Sequence, residues 1–194
     1  MSETSASLLD RLRDPADAMS WQRLVDLYAP LIRRWGGRHS LQATDLDDLV
    51  QEVMKVVVRR LPDFRRGDRP GAFRAWLRSI TVHTLRDFCR LRRFRPLGHG
   101  GSDFEEVLRQ LEDPDSGLSR LWDEEHDRHV LGRLLELIEP EFEPATWQAF
   151  RRVALEGCPT DVVAAELRLS TNAVCIAKSR ILKRLRQEAR GLIG

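Results

Sequence analysis

Arginine is the residue type whose placement in this sequence points most directly to chemistry. Twelve arginines lie between Arg59 and Arg95 against three aspartates, and residues 168–190 hold seven Lys or Arg residues against one glutamate. A guanidinium group stays charged and donates paired hydrogen bonds to phosphate oxygens. Between these blocks, residues 97–143 carry fourteen acidic residues and four arginines. The basic, acidic, basic order predicts two separate contacts with a polyanion, and the alternative is that the arginines are solvated helix faces.

The residues that could support catalysis do not form a recognisable site. His126 and His129 lie three residues apart on a predicted helix and could share a metal ion, but the sequence places no third ligand. No nucleophile motif is present, and no glycine-rich phosphate loop follows a strand. Cys89, Cys158 and Cys175 have no paired spacing. We therefore predict no enzyme activity, no metal site and no cofactor.

Composition also bears on the compartment. The N-terminus has no apolar core of the signal-peptide type, and no apolar run approaches the roughly 20 residues that cross a bilayer. Cysteines without paired spacing are typical of a reducing compartment. We expect a cytoplasmic protein that does not insert into a membrane.

The elements that carry these residues are predicted to be helices, because apolar residues recur with helical spacing and no segment alternates as a strand does. Three helices are expected at about Ala16–Trp35, Thr44–Leu61 and Ala72–Arg93. Pro30 is expected to split or kink the first, and Thr44 to cap the second. The third helix is expected to display its arginines, and residues 63–71 form a loop by their Gly and Pro content.

Residues 157–186 have the pattern of a helix-turn-helix, in which the second helix enters the major groove of DNA. Ser170 or Thr171 can cap that second helix. A step of about 100° per residue separates its two faces. The face predicted to pack inward holds Val174, Ala177, Ile181 and Leu185, and the outer face holds Asn172, Cys175, Ile176, Ser179 and Lys183.

Proline and glycine residues between Pro96 and Gly101 interrupt the third helix, and an acidic stretch follows. We therefore predict an all-α protein of two small helical domains joined by an acidic linker, the C-terminal domain containing the helix-turn-helix. The expected bounds are 1–95 for the first domain, 96–128 for the linker and 129–194 for the second domain. The five tryptophans fall within apolar helical patterns and are expected to be core residues.

Together these pieces resemble a sigma factor of the extracytoplasmic-function (ECF) type, a short bacterial initiation factor that keeps the second and fourth conserved regions. Residues 48–52, DLVQE, are similar to the D-L-[IV]-Q-E signature of the helix that binds the clamp helices of the RNA polymerase β′ subunit. Residues 73–77, FRAWL, are similar to the F-R-x-W-L of the family. Residues 157–186 look like the fourth region, which reads the minus-thirty-five element.

The resemblance implies a transcription initiation factor that binds core RNA polymerase through the β′ clamp helices and the β flap, recognises promoter DNA and assists its melting. Many relatives are also held by an anti-sigma protein, although no residue here identifies one. Polymerase binding would fall on Asp48, Gln51, Glu52 and Lys55. Contacts with the minus-ten element would fall on Arg65, Arg66, Arg74, Arg78, His83, Arg86, Arg90, Arg92 and Arg93. Contacts with the minus-thirty-five element would fall on Thr171, Asn172, Cys175, Ile176, Ser179, Arg180 and Lys183.

The sequence departs from the family pattern at a few positions. Arg168 stands where a helix-turn-helix turn often has Gly, so the turn must avoid positive φ or accept strain. Cys175 and Ala177 stand where relatives commonly carry basic residues, and Val82 and His83 replace a common Arg-Asn pair. These departures bear on DNA specificity.

Two other functions fit parts of the sequence. A helix-turn-helix regulator would bind operators without joining polymerase, and it would not need the polar surface of the second helix. An adaptor would clasp protein partners with both helical domains, and its DNA binding would be absent rather than salt-dependent.

Overall fold

The computed structural model describes residues 7–38, 41–65, 71–91 and 101–193, with side chains from residue 104 onward in the last range. The described residues form nine α-helices and no β-strand, so the all-α prediction is confirmed. Helices α1 to α5 span Leu8–Arg11, Ala18–Gly37, Ala43–Arg60, Ala72–Leu91 and Gly101–Glu112. Helices α6 to α9 span Gly117–Ile138, Pro144–Phe150, Thr160–Leu167 and Thr171–Ala189. Within this part of the chain, none of the helices has both the length and the apolar character needed to cross a bilayer.

Two compact units divide the chain, one built mainly from Leu8–Val130 and the other mainly from Leu131–Arg190. The sequence predicted a linker over 96–128, and the structure differs there, because residues 101–130 belong to the first unit. Several of their apolar side chains are buried, which the acidic composition of the stretch does not reveal. These buried side chains are Leu108, Leu111, Trp122 and Val130.

The core of the first unit joins α2, α3 and α4. Helix α2 ends at Gly37, two residues beyond the predicted Trp35. A Cβ atom on Gly36 would lie 2.8 Å from the side chain of Leu46, so glycine permits the close approach of α3. The predicted apolar stripes are confirmed where they meet in this core. The fully buried members include Tyr28, Leu31, Ile32, Leu49, Val53, Val57, Phe73 and Leu77.

Pro30 does not split α2, which continues through it, because a proline ring removes one hydrogen bond without ending a helix whose apolar face is buried on both sides of it. Thr44 does not cap α3, since the helix begins at Ala43 and Gln42 occupies the N-cap position. Asp17 caps α2 by accepting a hydrogen bond from Ser20 N at 2.9 Å, and its hydrogen bonds with the Ser20 hydroxyl and backbone N–H lower the pKa of its carboxyl.

The second unit is built around α7, α8 and α9. Its central cluster consists of small and β-branched side chains, which let the helices approach closely. These are Ala149, Val163, Ala164, Val174 and Ala177. A π-helical segment, Arg151–Leu155, follows α7 and leads into the turn before α8. The fold therefore presents α9 with one face packed on this cluster and the other face outward.

Candidate protein and nucleic-acid interfaces

The polar surface predicted on the second helix lies on α3. Gln51, Glu52 and Lys55 are exposed and Asp48 is partly exposed, because Leu49 and its helical neighbours fill the buried side. Lys55 Nζ donates a hydrogen bond to Glu52 Oε1 at 2.7 Å. The structure thus brings all four predicted side chains to one face of one helix.

This face forms one wall of a groove of about 530 Å³ between α3 and α4. The other wall is made of residues from the C-terminal half of α4, and sequence reasoning missed it. Leu91 is 79% exposed there, so an apolar side chain borders a polar face. The helical spacing of Thr84, Asp87, Phe88 and Leu91 was the available signal, since these residues share one face of α4. A groove with polar rims and an apolar end suits a protein partner.

Arg78 is not displayed, contrary to the sequence prediction. Its side chain is buried, donates a hydrogen bond to Asp123 Oδ1 at 2.6 Å, and donates another to the Ser119 backbone carbonyl at 3.2 Å. A buried guanidinium requires a partner of opposite charge, and the acidic residues of α6 supply one. Periodicity along α4 alone could not predict this contact, because the partner lies 45 residues away in sequence.

Arg74 and Arg86 are also held by carboxylates. Arg74 lies 3.3 Å from Asp123 Oδ2 and donates a hydrogen bond to Asp127 Oδ2. Arg86 donates to both oxygens of Glu112, at 2.6 and 3.2 Å, and to Glu105 at 3.0 Å. Three predicted minus-ten residues are therefore in ion pairs with α5 and α6.

The remaining predicted minus-ten residues lie in different settings. Arg90 is exposed and pairs with Asp87 at 2.9 Å, while His83 is largely exposed with Nδ1 at 3.6 Å from Glu112. Arg65 is exposed. Arg66, Arg92 and Arg93 lie outside the described residues. Val82 is buried and faces the core, which separates it from His83 at the surface.

The ion pair between Arg86 and Glu112 shifts the pKa values of both partners. Hydrogen bonds with Glu112 raise the pKa of the Arg86 guanidinium, and the same interaction lowers the pKa of the Glu112 carboxyl. Burial raises the pKa of Asp127, but hydrogen bonds from His126 and Arg74 and their charges outweigh burial, so this pKa is also lowered. Carboxyls with lowered pKa values stabilise the fold above their unfolded pKa values, and that stability is lost as pH falls through the lowered ones.

Helices α8 and α9, joined by a short turn, occupy the segment that was predicted to form a helix-turn-helix. Ser170 caps α9 by accepting a hydrogen bond from Ala173 N at 3.1 Å. The inner face is buried as predicted, at Val174, Ala177, Ile181 and Leu185. The outer face is exposed as predicted, at Thr171, Asn172, Cys175, Ile176, Ser179, Arg180 and Lys183. Since Ala177 faces inward, its departure from the family pattern does not remove a donor from the outer face.

The turn between α8 and α9 has a positive φ at Arg168, so it accepts the strain rather than avoiding it. Arg168 has φ 53° and ψ 41°, in the left-handed region, and its backbone N–H bonds the carbonyls at the end of α8. A non-glycine residue in this region costs roughly 1–2 kcal/mol, while glycine adds roughly 0.5–1 kcal/mol of unfolded-chain entropy.

Replacing Arg168 with glycine is therefore expected to stabilise the second unit by about 0.5–1 kcal/mol. The measurement is the opening free energy of α8 and α9 amides by native-state hydrogen exchange. Arg168→Ala is the matched control, because it removes the same side chain and keeps the strain. A glycine variant no more stable than the alanine variant would contradict this account of the turn.

The two histidines weighed as metal ligands have other partners. His126 is buried, with Nδ1 2.9 Å from Asp127 Oδ1 and its ring stacked on Tyr28. His129 Nε2 lies 2.7 Å from the Leu27 carbonyl. Among the described residues, no group of three His, Cys, Asp or Glu side chains is placed to hold a metal ion.

The first unit matches a known protein family, and a larger part of the chain is similar to individual proteins. Residues 24–95 match the sigma-70 region 2 family. The chain is 28% identical over 142 residues, 73% of its length, to the ECF RNA polymerase sigma factor SigE of Mycolicibacterium smegmatis. It is 27% identical over 99 residues, 51% of its length, to the RNA polymerase sigma factor NccH of Alcaligenes xylosoxydans xylosoxydans. In both cases the aligned part spans 52% of the relative, so the chain covers about half the length of these proteins.

Proposed function

We propose that this chain is a sigma factor of the ECF type, which binds core RNA polymerase, directs it to a promoter and assists DNA melting. The match to sigma-70 region 2 and the similarity to RNA polymerase sigma factors support the proposal. Proteins of this type are transcription factors rather than catalysts. The observation that carries the proposal is the groove between α3 and α4, because it lies within the matched region and presents the four predicted polymerase-binding side chains together.

Polymerase binding is assigned to the α3 face. Asp48, Gln51, Glu52 and Lys55 project from a helix whose opposite side is packed. The backbone is therefore already ordered, and the conformational entropy lost on binding is that of the contacting side chains. Leu91 supplies an exposed apolar edge to the same groove. Polar contacts around an apolar centre are typical of specific protein interfaces.

Promoter recognition is assigned to α9. The positive end of the helix dipole, at its first turn, favours approach to phosphate. Asn172 and Ser179 offer hydrogen bonds to base edges, while Arg180 and Lys183 suit phosphate contacts. Cys175 places no long donor on this face, so we expect base reading to depend on few residues.

Strand opening is assigned to α4 and to the loop before it. Extruding a base from the duplex costs a few kcal/mol, which phosphate contacts and base stacking offset. Arg65 and Arg90 are exposed for this role. Arg74, Arg78 and Arg86 can take part only if nucleic acid replaces their present carboxylate partners.

The test of polymerase binding compares wild type with a variant in which Asp48, Gln51 and Glu52 are all replaced by alanine. We expect binding to core RNA polymerase at least about tenfold weaker, because truncating a central contact residue typically costs more than 1 kcal/mol. The measurement is the dissociation constant from co-elution or fluorescence titration. A control variant carries Gln22→Ala and Asp26→Ala, which removes an exposed amide–carboxylate pair from α2 of the same unit.

Absence of binding by the wild type would contradict the proposal and would favour a helix-turn-helix regulator that acts without polymerase. Equal binding by the triple variant and the control would mean that the polymerase contact does not depend on this face of α3.

A further inference from the structure

The acidic segment 101–130 contacts the arginines that the proposed function needs for nucleic acid. On α5, Glu105 and Glu112 hold Arg86 through three hydrogen bonds. On α6, Asp123 and Asp127 hold Arg74 and Arg78. A carboxylate, like a phosphate, offers a guanidinium oxygens that accept its hydrogen bonds. Glu112 binds Arg86 through two parallel hydrogen bonds, and the other contacts also use guanidinium donors that nucleic acid would need.

Helix α6 also lies along α2. The rings of Trp122 and Trp35 are 4.8 Å apart, and the rings of His126 and Tyr28 are 5.6 Å apart. As residue numbers rise along α6 they fall along α2, so the two helices run antiparallel in this contact. Helix α6 is therefore held in place by aromatic contacts with α2 and by ion pairs with α4.

The contact between α2 and α6 contains buried polar atoms whose hydrogen bonds are not all made. The buried polar atoms without a hydrogen-bond partner among the described residues include Tyr28 Oη, Trp35 Nε1, Trp122 Nε1 and His126 Nε2. A buried donor or acceptor without a partner costs free energy. The packing of α6 on α2 therefore stabilises the fold less than the buried apolar area of this contact suggests.

We propose that segment 101–130 is a built-in inhibitor of nucleic-acid binding, whose carboxylates occupy Arg74, Arg78 and Arg86 until single-stranded DNA displaces them. The inference rests on the nucleic-acid role in the proposed function, although its test needs no polymerase. A purely structural clamp is the competing account, in which the same ion pairs only fasten α5 and α6 to α4. The two accounts differ in what removing the negative charge does to DNA affinity.

The experiment uses the full chain with Asp123→Asn and Asp127→Asn, which keep side-chain shape and remove the charge that holds Arg74 and Arg78. The probe is a fluorescent single-stranded oligonucleotide of mixed sequence, titrated at fixed salt. The matched control is Asp115→Asn with Glu124→Gln, which gives the same net charge from exposed positions of the same segment. We expect the first variant to bind the oligonucleotide about tenfold more tightly than the control, the equivalent of about one recovered charge-assisted contact.

Binding by the first variant no tighter than by the control would overturn the proposal. A second measurement covers the case in which that variant does not fold: hydrogen exchange of wild-type residues 104–130 with and without the oligonucleotide. We expect faster exchange in this segment when DNA is bound, and unchanged or slower exchange would overturn the proposal.

The outcomes separate this inference from the proposed function. If wild type co-elutes with polymerase but no variant gains DNA affinity, the inhibitor fails and the proposed function stands. If wild type does not bind polymerase but the charge-removing variant binds the oligonucleotide more tightly, the inhibitor stands and the polymerase role fails.

Discussion

Replacing Phe73 with alanine is expected to lower the stability of the first unit by about 3–5 kcal/mol, the usual cost of truncating a fully buried phenylalanine. Phe73 has no exposed surface. Its ring lies 5.6 Å from Tyr28, 5.6 Å from Phe64 and 5.4 Å from Trp76. The substitution therefore removes the ring that all three neighbours share and leaves a cavity at the start of α4.

The measurement is the opening free energy of slowly exchanging amides in α2, α3 and α4 by native-state hydrogen exchange, which follows this unit separately from the other. Met19→Ala is the control, because Met19 is 70% exposed and its truncation should change the same quantity by less than about 0.5 kcal/mol. A Phe73→Ala variant as stable as that control would contradict the assigned core.

Replacing Val174 with aspartate is expected to destabilise the second unit by about 3–5 kcal/mol or to unfold it, because an unpaired carboxylate would be buried. Val174 is fully buried on the inner face of α9 within the cluster of Ala149, Val163, Ala164 and Ala177. None of these side chains can accept or donate a hydrogen bond, so the new carboxylate must either stay protonated or open the helix packing.

Ile176→Asp is the matched control, since it makes a similar change two residues away on a side chain that is 49% exposed. It should leave the hydrogen exchange of α8 and α9 nearly unchanged and should weaken binding to duplex DNA, because it adds a negative charge to the proposed groove-facing surface. Equal destabilisation by both substitutions would mean that the two faces of α9 are wrongly assigned.

The sequence was sufficient for features that depend on local periodicity. The two faces of α9 could be predicted because inward and outward residues alternate with helical spacing, and Ser170 could be predicted as a cap because its hydroxyl reaches the backbone three residues on. The polar face of α3 followed in the same way. In each case the residues that decide the outcome lie within one or two turns of each other.

The sequence was insufficient where a distant part of the chain decides the outcome. Arg78 has the helical position of a surface residue, yet Asp123 draws it into a buried ion pair. The stretch around Trp122 has a linker's composition, yet its apolar residues complete the first unit. Arg168 shows a different limit, since the sequence allowed either strain or a different turn, and the structure has the positive φ of the strained form.

The proposed direction of RNA polymerase to promoters can be measured by transcription of fragmented genomic DNA from the source organism. Its core RNA polymerase is used with and without the chain, and the transcript 5′ ends are sequenced. We expect start sites that appear only with the chain and that share two upstream sequence elements, and we expect the Asp48, Gln51 and Glu52 triple variant to lose them. The same start sites with and without the chain would contradict the claim.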